Sequence, residues 1–155
     1  MPADALHCGK KEPERKSPLP QSRDDKAAVS GKPRILIIED EFFVAWNVQS
    51  TLRDLNFDFC EIASDAESGI DIAIRHRPEL LVVDLNLGDG PDGVEVEAVR
   101  RIREYRDVAV IFVTAYTDEA NLGRIRQFAP EAPILSKPVS PDLLGRTIRE
   151  MFPAS

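Results

Sequence analysis

The sequence predicts an α/β fold, a doubly wound, five-stranded parallel sheet in the order 2-1-3-4-5 with flavodoxin-like topology. Three observations support it. Short apolar runs alternate with amphipathic helical segments along the chain. The runs are apolar at every position, as expected of strands that are covered on both faces. Each run also ends on a polar or charged residue. Right-handed crossovers would then place helices on both faces of the sheet.

The first strand and helix follow directly from these patterns. Residues 34–39 form a β-branched run, and residues 42–56 carry apolar residues at helical spacing. Residues 57–63 make a poorer strand, which we expect near an edge of the sheet. Ser64 and Glu67 have the spacing of a capping box and predict the start of the second helix.

The second half of the domain repeats the alternation. The remaining strands are predicted over residues 80–84, 108–113 and 133–136. Asp92 and Glu95 begin the third helix, and Thr117 caps a weaker fourth helix that reaches residue 128. Ser140 followed by Pro141 pairs an N-cap with proline at the first helical position, which predicts the last helix.

Charge separates the amino-terminal segment from the rest of the 155-residue chain. Residues 1–32 hold seven basic and five acidic residues and four prolines, with little apolar periodicity. Such a composition buries too little surface to offset the entropy of ordering a chain. We therefore expect a disordered tail over residues 1–32 and one folded domain over residues 33–155, which carries a net charge of −9.

Composition also excludes several classes of protein. The net charge of −7 disfavours contact with phosphate backbones, so we expect no nucleic-acid partner. Two cysteines and two histidines are too few for a disulfide framework or a zinc cage. The apolar runs are far shorter than the ~20 residues of a membrane helix, and no signal core follows Met1. We expect a cytoplasmic protein with no membrane segment.

Reactive side chains stand where the predicted strands end. Glu39 and Asp40 follow strand one, Asp84 ends strand three, Thr114 ends strand four and Lys137 follows strand five. Ligand sites of doubly wound sheets lie beyond the carboxyl ends of the strands, at the switch point in strand order. Strands one and three are neighbours at that point, so the sequence predicts that these groups share one pocket.

Three carboxylates in one pocket repel one another unless a cation lies among them. Mg²⁺ is the expected occupant, because it prefers oxygen ligands and keeps several waters. Together with a lysine and a hydroxyl, these groups suit phosphoryl transfer to a carboxylate. Asp84 is the best candidate for the nucleophile, because it ends the central strand between the cation side and Lys137.

At this point the chain resembles a known family, the response-regulator receiver domains of two-component signalling. The resemblance covers roughly residues 34–152 and depends on four segments in order. These are Ile-Ile-Glu-Asp-Glu, Val-Val-Asp-Leu-Asn-Leu, Phe-Val-Thr-Ala and Ser-Lys-Pro, at residues 37–41, 82–87, 112–115 and 136–138. Each segment alone is weak, but all four close predicted strands.

The resemblance implies specific roles. Asp84 would be the phosphoacceptor and Asp40 a direct Mg²⁺ ligand, with Glu39 acting through metal-bound water and the backbone carbonyl of Asn86 as a further ligand. Thr114 resembles the switch hydroxyl of the family. Lys137 resembles its lysine, and Lys137-Pro138 its usual cis peptide, which is an accessible state for a bond before proline.

The same resemblance implies the partners. They are a sensor histidine kinase or a histidine phosphotransfer protein, and a downstream protein. Because the sequence ends at Ser155, just after the last predicted helix, we expect a stand-alone, single-domain regulator that signals through protein contacts or phosphorelay. It would catalyse only its own phosphorylation and dephosphorylation.

Two positions depart from the family pattern. Ile134 stands where many receivers carry an aromatic switch residue, and it cannot reproduce an aromatic rotamer change. Tyr116 lies two residues after Thr114. We hypothesise that Tyr116 shields the acyl phosphate or takes part in switching, although an exposed loop tyrosine with neither role is an equal alternative.

Other functions remain open at this stage. A Mg²⁺-dependent phosphatase or phosphotransferase could use the same aspartate, but it would want an acid where Asn86 stands. A flavin-binding electron carrier shares the topology, but it would need a hydroxyl-rich loop after strand one. The glycines of residues 88–93 match a dinucleotide fingerprint, yet the neighbouring acids disfavour a pyrophosphate there, and a turn explains the glycines.

Overall fold

The computed structural model describes residues 32–85, 94–115 and 117–153. Within them the chain alternates five parallel strands with five helices, and the strand order β2-β1-β3-β4-β5 confirms the predicted fold. The strands are β1 (Ile35–Ile38), β2 (Cys60–Ala63), β3 (Leu80–Leu85), β4 (Ala109–Thr114) and β5 (Ile134–Ser136). The helices are α1 (Phe42–Asp54), α2 (Ala66–His76), α3 (Val94–Tyr105), α4 (Glu119–Phe128) and α5 (Pro141–Met151).

Strand register brings the carboxyl ends of β1 and β3 side by side. Ile35 pairs with Leu80, and Ile38 with Val83. The register of β3 with β4 pairs Leu85 with Thr114. The residue that follows β1 and the residues that end β3 therefore lie close together at the carboxyl ends of these strands.

The two faces of the sheet carry separate hydrophobic cores. In β1, Ile35 and Ile37 pack with α1 and α5, and we call this side the α1/α5 face. Leu36 and Ile38 pack on the opposite side with α2, α3 and α4. Successive side chains of a strand point to opposite faces of the sheet. Because helices cover both faces, both sets of alternate residues in a strand must be apolar.

Several element boundaries differ from the prediction. The cap of α2 is Asp65 rather than Ser64, since the Asp65 side chain accepts a hydrogen bond of 2.8 Å from the Ser68 N–H. The second strand is shorter than predicted and occupies an edge, and α4 begins two residues after Thr117. The Ser140 cap of α5 is confirmed, with Ser140 Oγ accepting from the Leu143 N–H at 3.2 Å.

Arg34 closes the amino end of the sheet. Its backbone N–H donates to Glu79 Oε1 at 2.9 Å, and its guanidinium donates to the carbonyl of His76 at 2.9 Å and to that of Arg77. These carbonyls lie at the end of α2, where a cation is favourable for the helix dipole. Arg77 adopts a left-handed conformation, with φ of 53°, which turns the chain toward β3.

Several sequence-based predictions fall outside the described residues. The tail over residues 1–32 does so except for Lys32, as does the loop over residues 86–93 with the predicted helix start at Asp92. No helix in the described part of the chain combines the length and the apolar character needed to cross a membrane.

Candidate functional site

The alternation of side chains along the strands explains where the acids project. Glu39 follows Ile37 by two residues, and Asp84 follows Val82 by two. Ile37 and Val82 both belong to the core on the α1/α5 face. The two carboxylates therefore continue the pattern of that face at the point where the hydrophobic core ends.

The acids come together at the carboxyl ends of β1 and β3. One carboxylate oxygen from each of Glu39, Asp40 and Asp84 lies within 4.8 Å of the others. Glu39 is 4% exposed and Asp84 is 9% exposed, whereas Asp40 lies on the surface. The Glu41 N–H donates to Glu39 Oε2 at 3.0 Å and holds that side chain in place. The predicted convergence of the three acids is confirmed.

Lys137 provides the positive charge of the cluster. Its Nζ forms an ion pair with Asp84 Oδ1 and lies 3.8 Å from Glu39 Oε1. Its backbone N–H donates to the Thr114 carbonyl at 3.0 Å, which ties the segment after β5 to the end of β4. The Lys137–Pro138 peptide is cis, as the resemblance implied.

Burial and crowding alter the proton affinities of the cluster. Burial raises the pKa of the Glu39 carboxyl to about 8, and its hydrogen bond with Asp84 contributes to the rise. Burial alone would lower the pKa of the Lys137 ammonium, but the hydrogen bond and the charge of Asp84, together with Glu39, raise it on balance. Near neutral pH and without a cation, the Glu39 carboxyl therefore keeps its proton, and the Lys137 ammonium keeps its charge beside Asp84.

Thr114 is fully buried, and it ends β4 in register with Leu85 and Ser136. Phe112, two residues before it, belongs to the core on the face opposite the α1/α5 face. The alternation thus groups Thr114 with that opposite face, while Asp84 continues the α1/α5 face. The two side chains flank the ends of two adjacent strands, one residue apart in register.

The remaining predicted residues divide into two groups. Asn86 and Tyr116 lie outside the described residues. Ile134 begins β5, pairs with Phe112 and packs, half-buried, against the core that contains Phe112. Its aliphatic side chain thus fills a packing position beside Phe112, which itself contacts Phe128 with ring centroids 6.4 Å apart.

One feature of the site was missed from the sequence. Apolar residues at helical spacing predict burial, and Phe43 follows that spacing in the first helix, but α1 buries Ala45 and Leu52 and leaves Phe43 78% exposed. Phe42 and Trp46 are exposed as well. The signal was present as three aromatic residues within five positions, immediately after the acids of residues 39–41.

The donor set indicates the chemistry available to the pocket. Three carboxylates with no nitrogen or sulfur ligand among them suit a hard cation such as Mg²⁺. A lysine ammonium against the central carboxylate can hold an anionic group that reaches that carboxylate. The arrangement can therefore accommodate a divalent cation and an anion on either side of Asp84.

Comparison with known proteins is consistent with this chemistry. The family model described as the response regulator receiver domain matches residues 35–149. The phyllosphere-induced regulator PhyR of Methylorubrum extorquens is 33% identical over 118 residues, which are 75% of this chain and 42% of that protein. The transcriptional regulatory protein PdtaR of Mycobacterium tuberculosis is 26% identical over 69% of this chain and 50% of its own length. The chain thus spans half or less of the length of these curated relatives.

Solved structures show the same fold. A signal receiver domain of a modulated diguanylate cyclase from Desulfovibrio desulfuricans aligns with a TM-score of 0.66 and 29% identity, covering 78% of this chain and 93% of that one. A CheY-like receiver domain from Methanospirillum hungatei gives a TM-score of 0.66 at 25% identity, over 78% and 94% of the two chains. The chain belongs to the response-regulator receiver domain family.

Proposed function

We propose that this receiver domain accepts a phosphoryl group on Asp84 from a histidine kinase or a histidine phosphotransfer protein. The observation that carries the proposal is the position of the Asp84 carboxylate. It pairs with the Lys137 ammonium and lies within 4.8 Å of two further carboxylates at the carboxyl edge of the sheet. Doubly wound folds bind their ligands at this position, beyond the carboxyl ends of the strands at the switch point in strand order.

The proposed transfer is a displacement at phosphorus. A carboxylate oxygen of Asp84 forms a bond to phosphorus, the phosphorus–nitrogen bond of the phosphohistidine breaks, and the electron pair stays on the imidazole of the donor. Lys137 would hold phosphoryl oxygens in place, and Thr114, at the end of the neighbouring strand, would donate its hydroxyl to one of them. The chain would thereby catalyse only its own phosphorylation and dephosphorylation.

Glu39, Asp40 and Asp84 would hold Mg²⁺, with the carbonyl of Asn86 as the further ligand that the resemblance implies. The cluster of carboxylate oxygens supports this assignment, since the cation relieves the repulsion among them. When bound, Mg²⁺ supplies positive charge that offsets the charge of the phosphoryl group. Burial of Glu39 favours its neutral form in the absence of the cation, so we expect cation binding to release a proton.

We further propose that Tyr116 shields the acyl phosphate or takes part in switching, because Ile134 cannot act as an aromatic switch. The test compares the rates of autodephosphorylation of Tyr116→Ala and wild type. A faster loss of the phosphoryl group supports shielding. Unchanged dephosphorylation together with unchanged partner affinity would remove both roles.

The partners follow from the same proposal. One similar structure is a complex of the yeast histidine phosphotransfer protein Ypd1 with the receiver domain of Ssk1, at a TM-score of 0.65 and 21% identity. We propose a phosphodonor of that kind, a downstream protein that reads the phosphorylated state, a cytoplasmic location and no direct contact with nucleic acid. We also propose that residues 33–155 form the receiver domain and residues 1–32 a tail outside it.

The experiment is incubation with acetyl phosphate and Mg²⁺, followed by intact mass. Wild type should gain one phosphoryl group, and Asp84→Asn should gain none. Asp58→Asn, which removes an exposed carboxylate before β2, is the matched control and should behave as wild type. Equal phosphorylation of Asp84→Asn and wild type would contradict the proposal.

A further inference from the structure

Three aromatic side chains lie on the surface of α1, directly after the acids that precede this helix. Phe42, Phe43 and Trp46 are 66%, 78% and 53% exposed, and we call them the aromatic patch. The rings of Phe42 and Phe43 contact each other edge to face, with centroids 5.5 Å apart. Trp46 follows them by one helical turn, so all three lie on one side of the helix. Contiguous exposed apolar patches commonly mark interaction surfaces.

A cavity of about 620 Å³ adjoins the patch, between α1 and α5. Phe43 and Trp46 belong to its lining, together with aliphatic side chains of both helices and of the central strands. The two helices approach each other where Leu55, after the end of α1, packs against Gly145 of α5, and they diverge toward the acids. Because the lining also includes Asp84, the patch and the cavity form one apolar surface that ends at the candidate site.

Exposed acids border this surface at the start of α1. Asp40 and Glu41 are both exposed, and residues 33–155 carry a net charge of −9. A second copy of the domain would bring two sets of these acids into one twofold interface, which repulsion between like charges disfavours. The charges therefore favour an occupant that is basic beside the acids and apolar beside the aromatic patch.

A short segment of the tail has this composition. Residues 15–20 read Arg-Lys-Ser-Pro-Leu-Pro, a basic pair followed by an apolar stretch. Proline restricts the backbone before binding, so less conformational entropy is lost on binding, and aromatic-lined grooves bind sequences of this kind. The segment also belongs to the part of the chain with a net charge of +2, opposite in sign to that of the domain.

The order of these residues agrees with the direction from which the segment would arrive. The described chain begins at Lys32, before β1, at the amino ends of the strands. Helix α1 runs from the acids back toward that end, where the Ile35 N–H donates to the Phe59 carbonyl at 2.7 Å. A chain that leads away from Lys32 along α1 therefore reaches Trp46 first, then Phe43, then the acids. The prolines and then the basic pair follow in the same order.

We propose that residues 15–20 bind back on the domain, with the two prolines on the aromatic patch, Leu19 in the cavity and the basic pair beside the acids at residues 40 and 41. Twelve residues join Pro20 to Lys32, and they can span about 40 Å. The eight residues from Trp46 to the end of α1 rise only about 12 Å. Such a linker holds the segment near the patch at an effective concentration on the order of millimolar, so a weak contact suffices.

The bound segment would cover the α1 side of the candidate site. A protein phosphodonor would have to displace it in order to reach Asp84, a consequence that rests on the proposed function. The contact itself depends on neither Mg²⁺ nor a phosphodonor. It is therefore measured in the absence of both, so that its failure and the failure of the proposed function are distinguishable.

Energy transfer from Trp46, the one tryptophan of the chain, tests the contact in the full chain. The acceptor is a dye that absorbs tryptophan emission, attached to the thiol of Gln21→Cys in a Cys8→Ser background. Cys60 should not react with the dye, because it is buried and burial raises the pKa of its thiol to about 12. Transfer should be efficient, since the dye would lie beside the aromatic patch.

The first comparison removes the apolar part of the segment. Replacing Pro18, Leu19 and Pro20 together by serine should lower the transfer efficiency by about half or more, because the released segment samples distances of about 20 Å from Lys32. The matched control replaces three apolar residues elsewhere in the tail by serine, namely Pro2, Leu6 and Pro13. The control should keep the transfer of the labelled wild type.

The second comparison reverses charges. Lys16→Glu and Glu41→Lys should each lower the transfer, and their combination should recover part of it, because the two side chains again carry opposite charges. Glu41 suits this test because it is not among the proposed Mg²⁺ ligands. Lys16→Glu combined with Glu104→Lys, on α3 at the opposite face of the sheet, should recover nothing.

Three results would overturn the proposal. Equal transfer in the labelled wild type and the first serine variant would leave the patch to a protein partner. Transfer that depends on protein concentration would assign the patch to a second copy of the chain. An equal loss of transfer in the control variant would show that a different part of the tail covers the patch.

Discussion

The two ends of the parallel strands use their charged residues in opposite ways. We call them the amino edge, at Arg34 and Glu79, and the carboxyl edge, at Glu39, Asp40, Asp84 and Lys137. At the amino edge, Arg34 donates to the carbonyls that end α2, and its backbone N–H donates to Glu79. At the carboxyl edge, Glu39, Asp40 and Asp84 lie within 4.8 Å of one another and share one lysine. At the amino edge the charged side chains bind backbone groups, whereas the carboxyl edge gathers three carboxyl groups around the Lys137 ammonium.

The difference separates groups that hold the fold together from groups that bind a ligand. Hydrogen bonds from Arg34 link β1, α2 and β3, so they act only within the fold. The carboxylates gain little from one another in the folded chain, and burial raises the pKa of Glu39 to about 8. Repulsion among the carboxyl groups disfavours such a cluster in the folded chain. Its presence therefore indicates a functional site.

The largest effect is expected from removing the Lys137 ammonium at the carboxyl edge. Lys137→Met should slow phosphorylation by acetyl phosphate by ~10²–10³-fold, the loss typical of removing a preorganised group that stabilises transferring charge. The measurement is the time course of the phosphorylated mass. Lys137→Arg keeps the charge and should retain part of the rate, and a Met variant as fast as wild type would contradict the role of this edge.

The next largest effect concerns pH, in the absence of divalent cations. The unfolded chain releases the Glu39 proton near the ordinary value of 4.5, whereas the folded chain keeps it up to about 8. The free energy of unfolding therefore falls as the pH rises through this window, and Glu39 causes no further change above it. Glu39→Gln should flatten this dependence.

Urea midpoints at pH 5, 6.5 and 8 measure the effect. Glu104→Gln, which removes an exposed carboxylate on α3, is the control for the loss of one acidic group and should keep the wild-type slope. If Glu39→Gln also kept the wild-type slope, burial of this carboxyl would not be the source of the pH dependence.

A smaller effect, on stability alone, is expected at the amino edge. Arg34→Ala should lower the free energy of unfolding by about 1–2 kcal/mol, because it removes charge-assisted hydrogen bonds to the end of α2. Chemical denaturation measures the loss, and acetyl phosphate labelling should remain at the wild-type rate. A slowed rate in this variant would show that the two edges are not separate.

The smallest effect, again on stability, is expected at Ser140, which caps α5 near the carboxyl edge. Ser140→Ala should cost about 1 kcal/mol of stability, since it removes the N-cap of α5. Phosphorylation should be unchanged, as Ser140 belongs to the helix rather than to the cluster. Ser140→Thr keeps a capping hydroxyl and should recover most of the loss in thermal denaturation.

Sequence patterns predicted the strand order and the convergence of the acids, for a physical reason. Parallel strands buried on both faces are apolar throughout, so a polar residue marks where each strand ends. The same logic explains why the groups at 39, 84 and 137 meet. Their meeting depends on the strand order 2-1-3-4-5, which places β3 between β1 and β4. The alternation of strands and helices predicts a doubly wound sheet, but other strand orders share that alternation.

Other features depend on three-dimensional packing and were not accessible. The sequence at residues 64–68 offers two capping residues, and only the backbone conformation selects Asp65 over Ser64. The exposure of Phe43 was not inferred, because an apolar residue at helical spacing predicts burial, and the three aromatic residues after the acids were the one signal against it. Here α1 instead diverges from α5 near the acids, and the side chain lines a cavity.

The apolar character of both faces has a consequence for how deletions or duplications in the strands would act. A one-residue insertion within β3 before Asp84 would still present aliphatic groups to each layer of helices, so no polar group of the strand would enter the interior. The terminal aspartate, however, would be turned to the other side of the sheet, away from Glu39 and Lys137. The apolar interior therefore does not fix the register of β3 by polarity. The register is fixed instead by the need to place Asp84 beside Glu39 and Lys137.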